Sequence, residues 1–96
     1  MDAEGFGWDD DKADKNFRKH GVTFGEAATV FDDPLSATIG DDDHSDDEDR
    51  FITVGLSAQG RVVIVSHTDR DGNIRIISAR AASAAERKGY SNGTFP

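Results

Sequence analysis

Five arginines and one histidine crowd the second half of this chain. Arg50, Arg61, Arg70, Arg75, Arg80 and His67 all fall within one stretch, RFITVGLSAQGRVVIVSHTDRDGNIRIISAR, residues 50–80. A guanidinium carries a rigid fork of donors that matches a pair of anionic oxygens, and it is costly to bury unpaired. Imidazole has an ordinary pKa near neutrality, so His67 is a candidate for proton transfer. Together these side chains can hold an anion and move a proton beside it. They also have plainer uses. Arginines solvate exposed sheet faces, Arg75 and Arg80 can pair with Asp71 or Glu86, and a histidine ending an apolar run can be a core residue.

The elements that must position these groups are three strands. Arg50–Leu56, Arg61–Thr68 and Asn73–Arg80 are rich in Val, Ile, Phe and Thr, which suit a pleated half-buried surface. Ser57-Ala58-Gln59-Gly60 separates the first two, and Asp69-Arg70-Asp71-Gly72 leads into the third. Gly60 and Gly72 can supply the positive φ that hairpin turns need. An antiparallel β-meander follows, with the middle strand the most buried. Strict alternation puts Val63, Val65 and His67 on one face. In the third strand it groups Ile74, Ile76, Ser78 and Arg80, and sets Arg75 with Ile77 and Ala79.

Before the meander come two helices. Asp9–His20 is capped by Asp9 or Asp10 and stopped by Gly21. Ala13 and Phe17 form a narrow apolar stripe, while Lys12, Lys15, Asn16 and Lys19 share a polar, basic face. Thr23-x-x-Glu26 has the form of a capping box, and Phe24, Ala27, Ala28 and Phe31 recur at core-facing helical spacing. Phe6-Gly7-Trp8 reads as an edge strand or a plug, and Leu35–Ile39 as a short strand. Ser83-x-x-Glu86 opens a last helix, Ala84–Tyr90. The order β-α-α-β-β-β-β-α describes an α+β domain with helices packed on one face. Residues 1–5 and 91–96 are expected to fray, and 41–49 to form a mobile loop.

The chain of 96 residues has no cysteine and a formal net charge of −8. One domain, a reducing compartment and a cytoplasmic location fit, and no apolar run is long enough for a membrane span. The charge is uneven. Residues 1–49 carry four Lys and Arg against sixteen acids, a balance of −12, and residues 50–96 carry seven against three, a balance of +4. Asp41–Asp49, DDDHSDDED, holds seven of the acids. It does not fit a calcium-binding EF-hand loop: Asp46 stands where Gly is required, and Ile52 where Glu is. A solvated loop with His44 exposed is the reading, with no metal site. Binding depends on local potential, so a basic face can coexist with this loop.

Several stretches together resemble the BrnT toxins of bacterial type II toxin–antitoxin systems. They are Trp8-Asp9-x-x-Lys12, Asn16-x-x-Lys19-His20-Gly21-Val22-Thr23-Phe24-x-Glu26-Ala27, Val30-Phe31-Asp32-Asp33-Pro34, Asp43-His44-Ser45, Arg50-Phe51, Ile74-Arg75-Ile76-Ile77-Ser78-Ala79-Arg80, and Glu86-Arg87 with Tyr90. The resemblance runs from about Phe6 to Tyr90. It implies a RelE-like microbial ribonuclease fold, RNA cleavage that inhibits translation, and no cofactor. It also implies a cognate BrnA-like antitoxin of the ribbon-helix-helix type, encoded beside the toxin, with operator DNA bound only through the complex.

Metal-independent RNA cleavage makes the 2′-OH attack the adjacent phosphate. That needs a base, an acid and cations for the transition-state charge. His67, Arg75, Arg80 and Glu86 are the catalytic candidates, with Glu86 alternatively only a cap. Lys12, Lys19, His20, Arg50, Arg70 and Tyr90 are the RNA-binding candidates. His20 can instead complement the negative end of its helix, and Tyr90 can simply pack. A non-catalytic or attenuated module that docks an antitoxin is the alternative function.

Overall fold

The computed structural model describes residues 2–3, 5–41 and 49–95. Residues 42–48, most of the acidic loop with His44, lie outside these, as do Met1, Glu4 and Pro96. The chain forms β1 (Asp2–Ala3), β2 (Phe6–Gly7), α1 (Asp10–His20) and α2 (Phe24–Thr29), which runs into a 3-10 turn at Val30–Asp32. Then come β3 (Ala37–Gly40), β4 (Arg50–Leu56), β5 (Val62–Arg70), β6 (Asn73–Ala81) and α3 (Ala84–Asn92).

All six strands join one sheet in the order β1-β2-β6-β5-β4-β3. The pairs β3–β4, β4–β5 and β5–β6 are antiparallel, while β2 runs parallel to β6, so the sheet is mixed. The β5–β6 turn is tighter than the sequence suggests. β5 continues to Arg70, and Asp71 (φ 54) and Gly72 (φ 81) alone make the reversal. Both central residues are left-handed, as a two-residue hairpin turn requires.

Register decides which side chains share a face. His67 pairs with Ile76 but Ser66 pairs with Ser78, so Ile77 is an extra residue in β6. This bulge breaks the alternation expected for the strand. Ile76 and Ala79 therefore enter the same core, and Arg75, Ser78 and Arg80 come to the other face, level with Thr68, Ser66 and Ile64. The sequence-based grouping of Arg80 with Ile74 and Ile76 is corrected accordingly.

Helices cover both faces, not one. On the first, Val22, Phe24, Ala27 and Val30 pack on Val63, Val65, Ile76 and Ala79. On the second, Tyr90 of α3 and Phe95 pack around Val54, Ile64 and Ala82. Ser91–Phe95 are consequently part of the fold: α3 reaches Asn92, and Gly93 in the left-handed region ends it. β4 approaches the 3-10 turn so closely that a Cβ on Gly55 would stand 2.7 Å from Val30 Cγ1.

Asn16 accounts for how α1 joins the sheet. Its carboxamide donates to Ala79 O (2.8 Å) and accepts from Ala79 N–H (3.0 Å), as a neighbouring strand would. It also donates to Val22 O, and is only 6 % exposed. It is thus a docking residue and not part of a basic face. Phe17, expected on the apolar stripe, is 53 % exposed.

Candidate functional site

The second sheet face gathers the arginines. Arg50 of β4 and Arg75 of β6 flank Thr68 of β5 in one cross-strand row. Arg70 stands level with Asn73 at the hairpin end, and Arg80 is level with Ile64. Thr68 to Ile64 is four residues, so this strip is about 13 Å long. α3 packs over its Val54–Ile64 end, while Arg50 and Arg75 remain half-buried. Beside the hairpin, Gly7, Arg70, Asn73 and Arg75 border a cleft of about 160 Å³. The Arg75 charge also helps lower the Asp9 carboxyl, after the larger contributions of the Asp11 and Lys12 N–H groups.

Arg80 is held by Glu86. Its Nη1 donates to Oε1 at 2.7 Å and its Nη2 to Oε2 at 2.8 Å. Glu86 Oε1 also accepts from Ser83 N–H, completing the capping box that starts α3. The Arg80 hydrogen bonds chiefly, aided by Ser83 and opposed by burial, hold the Glu86 carboxyl down to about 2. Glu86 is therefore ionised at neutral pH, and one carboxylate fixes both a helix start and a guanidinium. The Arg80 side chain stays 45 % exposed.

His67 is elsewhere. It lies on the first face, 4 % exposed, stacked on Phe51 and edge-on to Phe31. Its Nε2 is 2.7 Å from Thr53 Oγ1, which in turn is 2.7 Å from Thr38 Oγ1. Its Nδ1 has no partner among the described residues. Burial pushes the imidazole below its ordinary pKa, against a smaller upward pull from Asp69. The structure does not bring His67 to the arginine face, so the expected proton-transfer role gives way to the core alternative.

The remaining candidates separate. Lys12 and Lys19 are exposed on α1, and half-buried His20 ends that helix, so none of the three is on the strands of the arginine strip. The Tyr90 hydroxyl donates to Asp33 while its ring packs in the second core. Burial raises the Asp33 carboxyl, but hydrogen bonds from Leu56 N–H, Tyr90 and Leu35 N–H outweigh it and leave the group below its ordinary range. Arg61 is a structural arginine, bonded to Gly21 O and to both oxygens of buried Glu26. That carboxylate also accepts from Ser57, so it bridges to the β4–β5 turn instead of closing the expected box at Thr23. Sequence reasoning missed Ser66 and Ser78, register partners on the arginine face. The bulge at Ile77 brings Ser78, together with Arg80, to the face of Arg75.

This geometry can be set beside known proteins. The family model described as "Ribonuclease toxin, BrnT, of type II toxin-antitoxin system" matches residues 8–86. The chain belongs to this family. As a BrnT family member it pairs with an antitoxin. Among solved structures, the crystal structure of the Brucella abortus ribonuclease toxin BrnT is similar, with a TM-score of 0.61 at 20 % identity, covering 79 % of this chain and 92 % of that one. At that identity the likeness speaks for the α+β fold. No curated protein sequence matches the chain. Among the described residues, no helix is long and apolar enough to cross a membrane.

Proposed function

We propose that this chain cleaves RNA on the arginine face of its sheet, without a metal ion, and thereby inhibits translation. The observation that carries the reading is that Arg50, Arg75 and Arg80 share one face of the sheet, with Arg80 held in a bidentate pair by Glu86. In the proposed reaction the 2′-oxygen bonds to phosphorus and the bond from phosphorus to the 5′-oxygen breaks. The products are a 2′,3′-cyclic phosphate and a 5′-hydroxyl. Arg75 and Arg80 stabilise the charge that accumulates on the phosphoryl oxygens. A phosphate competes with Glu86 for the Arg80 fork, and the released carboxylate accepts the 2′-OH proton. The 5′-oxygen takes its proton from solvent water. Arg50 and Arg70 hold flanking phosphates.

The same reading includes a RelE-like ribonuclease fold and neutralisation by a BrnA-like, ribbon-helix-helix antitoxin whose complex binds operator DNA. A second reading, a toxin-like module that only docks its antitoxin, is favoured by one observation. Arg80 is already paired, and His67 is buried away from it. The test is cleavage of RNA by the purified, antitoxin-free chain in EDTA. Arg80→Ala should lower the rate about a hundredfold or more, the size expected for losing a transition-state charge partner. Equal rates for wild type and Arg80→Ala would remove the site, and an inactive wild type would favour the docking module.

A further inference from the structure

A groove between α1 and the start of α2 takes no part in the chemistry above. Trp8, Ala13, Phe17 and Phe24 line it, with Asp10 and Asp14 beside them, and it encloses about 620 Å³. Its walls are fixed by packing, since Trp8 stands edge-on to buried Phe24 with ring centroids 6.1 Å apart. Phe17 is the exception. It is 53 % exposed, although a core was available one turn away at Ala13.

The lysines of α1 lie away from this groove. At about 100° per residue, Asp10 and Asp14 fall on the same side as Phe17 and Lys12, Lys15 and Lys19 on the opposite side, with Asp11 and Arg18 on the flank between them. Among the described residues, the ionisable side chains lining the groove are Asp10 and Asp14. A ligand complementary to this lining brings apolar volume and positive charge together. RNA brings the opposite charge, so this is not an extension of the arginine face.

We infer that the groove receives a segment of the antitoxin, one carrying a large apolar side chain flanked by Lys or Arg. The inference rests on the family's having a protein partner, and adds where it sits and what chemistry it carries. A large apolar anchor in a concave site with a charged rim is the usual energetic centre of a protein interface. The acids steer a basic segment and make its binding salt-dependent.

The test uses the full chain and the full antitoxin encoded beside it, with binding measured by calorimetry at two salt concentrations. Phe17→Ser should weaken binding about tenfold or more, and Phe17→Leu should restore most of it. Asp10→Lys combined with Asp14→Lys should weaken binding about tenfold and flatten its salt dependence. Arg75→Ala and Arg80→Ala should bind within about threefold of wild type. Thermal melts confirm folding, which an exposed Phe17 does not support.

Wild-type affinity in both groove variants would overturn the inference. So would losses confined to the arginine variants, which would place an acidic antitoxin segment on the other sheet face. A free chain that self-associates through Phe17, with antitoxin binding unchanged, would assign the groove to a second copy. Should the wild type bind no antitoxin at all, the partner itself would fail, which is a separate and recognisable outcome.

Discussion

The two faces of this sheet treat polar side chains in opposite ways. On the face under α1 and α2, Asn16, Thr53 and His67 are drawn into the packing. Asn16 substitutes for a strand, and His67 is sealed between Phe31 and Phe51. On the face under α3, cover is partial, and Arg50, Arg75 and Arg80 stand along the strip. The difference teaches that residue type alone does not locate chemistry. The side chain best suited to proton transfer went to the dry face, and the charge partners went to the wet one.

The sharpest way to test this division is to damage each face separately. Phe24→Ala, on the first face, should cost about 3–5 kcal/mol of stability in urea unfolding, the usual range for a buried Phe. Arg80→Ala should leave the unfolding midpoint almost unchanged while removing cleavage. If instead both variants lose stability alike, the arginine strip is structural and the contrast disappears.

Asn16→Ala tests whether an amide truly serves as a strand. It strips the partners from a buried N–H and C=O of Ala79, and should cost about 2–4 kcal/mol. Amide exchange at Ala79 should accelerate with it.

A smaller effect, with a defined sign, comes from His67. Its folded-state pKa lies below the ordinary 6.5, so the stability gained by keeping it neutral is full above 6.5 and fades as the pH falls below it. Melting temperatures measured downward from neutrality should decline for the wild type and decline less for His67→Gln. Cleavage by folded His67→Gln should stay within about threefold of wild type, unlike the hundredfold or greater loss typical of a removed general acid or base. A larger loss would return His67 to the active site.

Smallest of all should be Lys12→Ala and Lys19→Ala. These lysines lie off the arginine strip, and each should weaken RNA affinity less than about threefold at physiological salt. Stronger losses would extend the RNA path around the sheet edge to α1.

Much of the scaffold was legible because its signals are local. Gly21 does end α1 in the left-handed region, Asp9 accepts from the N–H groups of Asp11 and Lys12, and Ser83 with Glu86 forms a full capping box. Each depends on residues within one turn of helix. The β-rich runs likewise declare themselves, since Val, Ile and Thr prefer extended backbone wherever they pack. Glu26 shows the limit. Its spacing from Thr23 is that of a box, but Arg61 and Ser57, more than thirty residues away in sequence, compete for the carboxylate and win.

What the sequence by itself determined, then, was most of the strands and helices, their caps, and the family they compose; β1 (Asp2–Ala3), paired with β2, formed where fraying was expected. Tertiary structure alone decided which side chains meet. One extra residue at Ile77 moved Arg80 and Ser78 across the sheet from Ile76, and two Phe rings closed over His67. Local propensity is set by neighbours in the chain. A face is set by strand register, and register by pairing between segments that only folding brings together.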